Sequence, residues 1–407
     1  MKKTTKSLLG HIGDIEQKWE TVSTDGLYAF LEKPRSLKIL FIADSTSVHA
    51  QRWIAYFRDR GYKIYLISIG SKRMELAGIR TVANFNKFYY DSPGFLLSIF
   101  KTRRLIRRIK PDILHAHFVH QYGWLAALTS FHPFVLTPWG TDIFTLPHTS
   151  RIKIGKWLTR HALKAADALT AISEHLKLES VKLGARESGF DVVFLGVDTE
   201  TFRPDIDTRN IRNRLRIDPA APVILSNRNF APLYNNDIVL EALEIVLQQH
   251  PEAVLVMQNA GGKPEREVIV KTLARDRGVE KAVRFLPQYG YHDMPPLYAL
   301  ADIYVTVPSW DAGPVSLLEA MACHCTPIIS DLPAPGEWIK DGENGYVVPV
   351  RNSVMLANAI CRLLADRKNC VRFNEINRNL IKQKAESRHQ MRKIENVYLR
   401  LTATHQD

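Results

Sequence analysis

DIYVTVPSWDAGPVSLLEAMACHCTPIIS, residues 302–330, holds one complete unit of parallel-sheet architecture. Asp302–Val307 is a β-branched run of strand length, and Pro308–Pro314 is a loop. Gly313 suits a helix cap. Pro314 suits the first helical turn, where its missing N–H costs nothing. A compact helical pattern then runs through LLEAMAC, and Pro327–Ser330 is the next strand. Strand, loop, helix and strand in that order predict parallel pairing, because parallel strands need a crossover connection. The same stretch carries two carboxylates, Asp311 in the loop and Glu319 inside the helix.

The pattern extends in both directions. Leu37–Ala43, Lys63–Ile69, Asp112–His117, Phe134–Thr137, Ala168–Ile172 and Asp191–Leu195 read as strands of a first domain, with helices at Gln51–Arg60 and Phe95–Lys110. The rhythm restarts near residue 205 with a charged helix, Thr208–Arg216. Strands Pro222–Ser226, Ala253–Gln258, Val283–Leu286, Asp302–Val307, Pro327–Ser330 and Tyr346–Val348 follow, with a helix at Asp237–Gln249. The expected fold class is α/β, with two Rossmann-like, doubly wound parallel-sheet domains facing a central cleft. The expected organisation is an N-terminal appendage (1–35), a first Rossmann-like domain (36–205), a second Rossmann-like domain (206–375) and a C-terminal helical segment (376–407) that packs back on the first domain.

Composition narrows the class. In 407 residues, 45% apolar and 24% charged side chains give a globular chain with room for two cores. A net charge of +13 favours an anionic partner: nucleotide phosphates, nucleic acid or an anionic membrane surface. Nucleic acid is disfavoured, since the basic stretches lack interleaved aromatics and any recognition motif. A dinucleotide oxidoreductase is disfavoured because no G-x-G-x-x-G follows the first strand. No secretory signal or spanning segment is expected, so the expected location is the cytoplasm. Cys323, Cys325, Cys361 and Cys370 are expected to be reduced. Cys323-His324-Cys325 has no second cluster to complete a zinc site, so no metal is expected.

Ligands of open parallel sheets bind beyond the carboxyl ends of the strands, so the loops there hold the candidates. The helix start near Val315 and Ser316 offers amides to an anion, and a carboxylate such as Glu319 accepts two hydrogen bonds from a vicinal diol. His115 and His117 alternate onto one face at the end of a strand. Asp142 either faces a ligand in the cleft, which the resemblance described below makes an acceptor, or caps a helix. The loop after the first strand brings Ser45, Thr46 and His49 to the same side.

D-x-x-P-V-S-L-L-E-A-M-A-C resembles the retaining GT-B glycosyltransferases of family four. The resemblance extends through LKILFIADSTSVHAQRW, PDILHAHFVHQYGWLAAL, WGTDI, VVFLGVDTETFRP, RFLPQYGYHDMPPLYALADIYVTVPS and GENGYVVP. It implies a nucleotide-sugar donor, UDP- or GDP-linked, and no required cofactor. Glu319 then resembles the acid that holds the donor ribose, and Asp311 the acid near the transferred sugar, where most of the family has Glu. Arg228 resembles the family's diphosphate arginine, apt for bidentate phosphate contact. The lysine that commonly follows is missing from Leu233-Tyr234-Asn235-Asn236, and Tyr234 and Asn235 are its expected substitutes. The backbone around Leu286, within Phe285–Gln288, would read the base, and Gly313 to Ser316 would meet the diphosphate or sugar. His117 resembles the histidine near the reaction centre. A His is by itself more often a satisfied structural group.

The implied reaction is transfer of a sugar with retained configuration to a glycan or lipid-linked acceptor in surface polysaccharide or lipopolysaccharide synthesis. The alternative is a nucleotide-sugar epimerase of the same architecture. PGFLLSIFKTRRLIRRIKPD reads as a basic amphipathic helix. Its apolar side (Leu96, Leu97, Phe100, Leu105, Ile106, Ile109) is expected to pack on the sheet. Its charge, with a second stripe at Arg151, Lys153, Lys156, Arg160 and Lys164, is expected to attract anionic lipid.

Overall fold

A computed structural model describes residues 37–70, 78–85, 93–145, 152–259, 261–287 and 289–404. The expected appendage (1–35) and Gln288 lie outside the described residues. Two sheets organise the rest, and every recorded strand pairing is parallel. The first holds β1 (Lys38–Ala43), β2 (Lys63–Ile69), β3 (Arg80–Phe85), β4 (Ile113–His117), β5 (Phe134–Thr137), β6 (Ala168–Ala171) and β7 (Phe190–Val192) in the order β3-β2-β1-β4-β5-β6-β7. The second holds β8 (Val223–Ser226), β9 (Val254–Gln258), β10 (Val283–Leu286), β11 (Ile303–Thr306), β12 (Thr326–Ser330) and β13 (Tyr346–Val348) in the order β10-β9-β8-β11-β12-β13.

Parallel strands are covered on both faces, which is why they read as unbroken apolar runs. Ile39, Leu40, Phe41 and Ile42 of β1 are all fully buried. Strand β3 is the one strand the sequence did not announce. It lies at the sheet edge, is only half-buried, and mixes polar and small residues (RTVANF).

Helix α1 (Val48–Asp59) starts at Ser47, whose hydroxyl accepts from the Ala50 amide, and buries Ala50, Trp53, Ile54 and Phe57. Helix α2 (Pro93–Ile109) buries Phe95, Ser98, Ile99, Thr102 and Ile106. Its outer apolar residues correct the expected packing: Leu96, Leu97 and Phe100 are 60%, 53% and 66% exposed. Seventeen residues of helix cannot turn both Phe95–Ile99 and Leu96–Phe100 to one sheet, because these pairs lie on different sides of a 3.6-residue turn. Helix α3 (Ile152–Ala165) likewise exposes Ile154 and Trp157 among Lys153, Lys156, Arg160 and Lys164. No helix among the described residues is long and apolar enough to cross a membrane.

Helices α4 (Val315–Ala322), α5 (Arg367–Lys384) and α6 (Ser387–Thr404) complete the frame. Tyr398 of α6 is fully buried and stacks on Phe57 of α1, with ring centroids 4.8 Å apart. Met391, Ile394 and Val397 join the cluster that holds Phe41 and Trp53, and Arg60 and Tyr62 both bind Glu395 (2.8 and 2.6 Å). The last described helix therefore packs on the first sheet. The two passages of chain between the sheets are bonded to each other, Val197 N–H to Ala385 O and Ser387 N–H to Val197 O.

In each sheet the strand order reverses at a central pair, β1/β4 and β8/β11. Such points open a crevice beyond the strands' carboxyl ends. Here the two crevices face each other. Ser173 Oγ, just past β6, donates to Ala312 O at 2.5 Å, and Glu337 accepts from the amides of Glu174 and His175.

Candidate active site

Loops after β1, β4, β8 and β11 line two adjoining cavities, of about 620 and 420 Å³. Both are bordered by His49, Tyr234, Gly313 and Val315, so they form one cleft.

Arg228 stands at its centre. Nη2 lies 3.1 Å from Asp311 Oδ2, Nη1 donates to Ser316 Oγ at 3.3 Å, and the guanidinium carbon sits 4.5 Å from the centre of the Tyr234 ring. Burial, the largest single influence, lowers its pKa, but Asp311, Tyr234 and Tyr304 together more than offset it and raise it, so the cation is permanent. Ser316 is held in turn by Tyr304, whose hydroxyl also meets Asn227 Oδ1.

Glu319 is buried one turn into α4. Burial raises its carboxyl to about 7, against the opposing pull of Arg52 and a hydrogen bond from Tyr298. The Tyr298 hydroxyl donates to Glu319 Oε2 (3.2 Å) and accepts from Asn227 Nδ2 (2.7 Å). One asparagine thus braces both the Glu319 arm and the Ser316 arm of the cleft.

The two histidines of β4 share a face, with ring centroids 4.4 Å apart, but differ in state. His115 is saturated: Nδ1 meets Tyr398 Oη at 2.5 Å and Nε2 meets Thr137 Oγ1 at 2.7 Å. His117 borders the larger cavity, and neither ring nitrogen has a protein partner. Trp53 and Trp139 pack around it. Burial lowers its pKa to about 3, and His49, stacked on Trp139, is lowered by burial to about 4. Both rings are neutral at pH 7 and can donate and accept toward sugar hydroxyls.

Residues 207–380 match the model of "Glycosyl transferases group 1", and residues 38–173 match "Glycosyl transferase 4-like". Together these two glycosyltransferase models match most of both domains. It is 28% identical over 285 residues to a D-inositol 3-phosphate glycosyltransferase of Streptomyces bingchenggensis, covering 63% of this chain and 59% of that one. It is 26% identical over 241 residues to a GDP-mannose-dependent α-(1-6)-phosphatidylinositol monomannoside mannosyltransferase of Mycobacterium tuberculosis (57% and 61% covered). The chain thus spans about three fifths of the length of these curated relatives. The fold superimposes on HepE of Anabaena, solved with UDP and glucose, with a TM-score of 0.76 at 18% identity over 90% of this chain and 100% of that one. The architecture is GT-B.

Within this fold, the structure brings His117, Arg228, Tyr234, Asp311, Gly313, Val315, Ser316, Glu319 and His49 to the cleft. Several expectations are corrected. Asn235 turns away: its amide nitrogen binds Val307 O and Ser309 Oγ, and its oxygen accepts from Arg351, which pins the loop and leaves nothing for a donor. Ser45 is buried, with its amide on Ser68 Oγ, and the Thr46 amide and hydroxyl both bind Asp44, so neither is offered to an acceptor. Asp142 takes neither expected role. Its buried carboxylate accepts from the amides of Val119, Trp139 and Gly140, tying the β4 and β5 loops together. The Leu286 side chain is core.

The helix start is also tighter than expected. Pro314 is the cap and α4 begins at Val315, whose amide is taken by Gly313 O, while the Gly313 amide binds Asp311 Oδ1. Ser316 and Arg228 both border the cleft there. Gly313 is required for another reason: a Cβ would stand 2.6 Å from Ile172 Cδ1 of the opposite domain. Cys323 and Cys325 are buried core thiols.

Sequence reasoning missed Asn227, Tyr298, Tyr304, Trp139 and Arg52. Arg52, Tyr298 and Tyr304 lie in ordinary helix or strand patterns and Asn227 and Trp139 in the loops just past β8 and β5, and only the fold brings them together.

Proposed function

We propose that this chain transfers a sugar, with retained anomeric configuration, from a UDP- or GDP-linked donor to a glycan or lipid-linked acceptor. The observation that carries this is Arg228, a half-buried permanent cation held between Asp311, Ser316 and Tyr234 in the cleft that the unpartnered ring of His117 also borders. An arginine clamped this way is preorganised for a diphosphate that gains charge as the glycosidic bond breaks. Glu319 suits the ribose diol, and Asp311 and His117 suit hydroxyls of the transferred sugar. The departing phosphate oxygen takes the acceptor's proton, so no second carboxylate is needed as nucleophile. Closure of the two domains excludes water that would hydrolyse the donor.

The exposed Leu96, Leu97 and Phe100, flanked by Arg103, Arg104, Arg107 and Arg108, fit attachment to an anionic membrane surface, where a lipid-linked acceptor resides. A thermal-shift screen of UDP-, GDP- and ADP-sugars tests the donor, since a specific ligand raises the midpoint by mass action. The absence of any shift, or of transfer to extracted glycolipid, would overturn the assignment. Flotation with anionic vesicles at low salt tests the membrane contact, which fails if Phe100→Ser with Leu97→Ser floats like wild type.

A further inference from the structure

We propose that Arg52 is a second cation for the donor diphosphate, carried across the cleft by the N-terminal domain and held on Glu319 until a nucleotide arrives. The inference rests on the donor site described above and adds a residue to it. Helix α1 turns Trp53, Ile54 and Phe57 into its own core, while His49 and Arg52, one turn apart, border the smaller cavity. Arg52 belongs to the first sheet's domain, yet its partners lie elsewhere. Nη1 is 3.6 Å from Glu319 Oε1, the guanidinium carbon is 4.5 Å from the centre of the Tyr291 ring, and Nη2 donates to Gly196 O where the chain leaves the domain.

Among the described residues bordering that cavity, the arginines and lysines are Arg52 and Arg228, and the acid is Glu319. A diphosphate brings about two negative charges, and one arginine paired with Asp311 does not balance them. The loop expected to supply a second basic group, Leu233–Asn236, supplies none, and Asn235 is turned away. Arg52 fills that deficit from the opposite wall. When a ribose diol takes the Glu319 carboxylate, the ion pair opens and the guanidinium is released beside the phosphates. One ion pair is exchanged for another, and the Glu319 carboxylate is left with the hydrogen bonds of the diol and of Tyr298. Because Arg52 rides on the N-terminal domain, its contact exists only when the cleft is shut, so donor binding and closure favour each other.

The test is calorimetric titration of the full chain with UDP, GDP, uridine and guanosine. Arg52→Gln is expected to weaken the diphosphate that wild type binds by tenfold or more and the matching nucleoside by less than twofold. Arg52→Lys, which keeps the charge, is expected to recover part of the loss. In steady state the donor KM rises and the acceptor KM does not. Equal weakening of nucleoside and diphosphate, or unchanged diphosphate affinity, overturns the proposal while leaving the donor site standing. Tighter nucleoside binding with unchanged diphosphate binding would show that Arg52 only competes for Glu319, and overturns it too. A wild-type chain that binds no nucleoside diphosphate overturns the donor site and this inference together.

Discussion

Arg228 and Asp311, 83 residues apart in sequence, meet as an ion pair at 3.1 Å across the switch point of the second sheet. The pair fixes the guanidinium plane over Tyr234 and leaves its remaining edge toward Ser316 and the cleft. Asp311→Asn is expected to lower donor-dependent turnover by about 2 kcal/mol, roughly 30-fold, because it frees that plane and removes the pairing charge. Arg228→Ala is expected to cost at least as much. Arg228→Lys is not expected to restore activity, since an ammonium neither forks nor stacks as a guanidinium does. Steady-state kinetics with saturating acceptor measure all three.

Glu319 sets a pH dependence. Its carboxyl titrates near 7 in the folded chain, against an ordinary value of 4.5, so the folded state binds the proton more tightly. Its contribution to stability is therefore present below pH 4.5 and lost as pH rises toward 7. Ligand binding has the opposite slope, because a diol donates to the carboxylate form. Donor affinity is expected to rise through pH 7 and then level off, and Glu319→Gln is expected to flatten that rise. Titrations from pH 5.5 to 8.5 decide it; an unchanged slope in the variant would remove Glu319 from the donor site.

Two glycines govern closure. A Cβ on Gly140, which holds φ +117°, would overlap the Ala312 side chain of the other domain, and one on Gly313 would meet Ile172. Gly313→Ala is expected to cut kcat/KM at least tenfold while costing little stability, because the clash exists only in the shut cleft. Small-angle scattering should then show no compaction on adding donor. Gly140→Ala adds backbone strain of about 1 kcal/mol to the same effect.

His324 offers a gain. It follows helix α4 with φ +65°, a left-handed position that favours glycine. His324→Gly is expected to stabilise the chain by about 1 kcal/mol, or a rise of about 2–4 °C in Tm by calorimetry, with activity unchanged.

Most strands were legible because parallel strands buried on both faces must be continuously apolar, as in β1 and β9. Strand β3 was not, because an edge strand tolerates polar residues and its Arg80, Thr81 and Asn84 carry no such signal. In the site, Arg228, Glu319 and Asp311 were legible from residue type and place in a motif. Asn235, Ser45 and Asp142 were misassigned because a polar side chain in a cleft-side loop has two outlets, a ligand or a neighbouring backbone amide, and local sequence does not say which is nearer.

By itself the sequence determined that two doubly wound parallel sheets would form and that their strand ends would carry acids, an arginine and a pair of histidines. Periodicity and residue chemistry are local properties, and they suffice for that. Only the tertiary structure decided which of the two histidines is spoken for: Tyr398, from the far end of the chain, satisfies His115 and leaves His117 open. It also decided that Arg52, in a helix of the first domain, faces Glu319 in the second. Contacts between groups hundreds of residues apart depend on how whole domains pack, and no window of sequence contains that information.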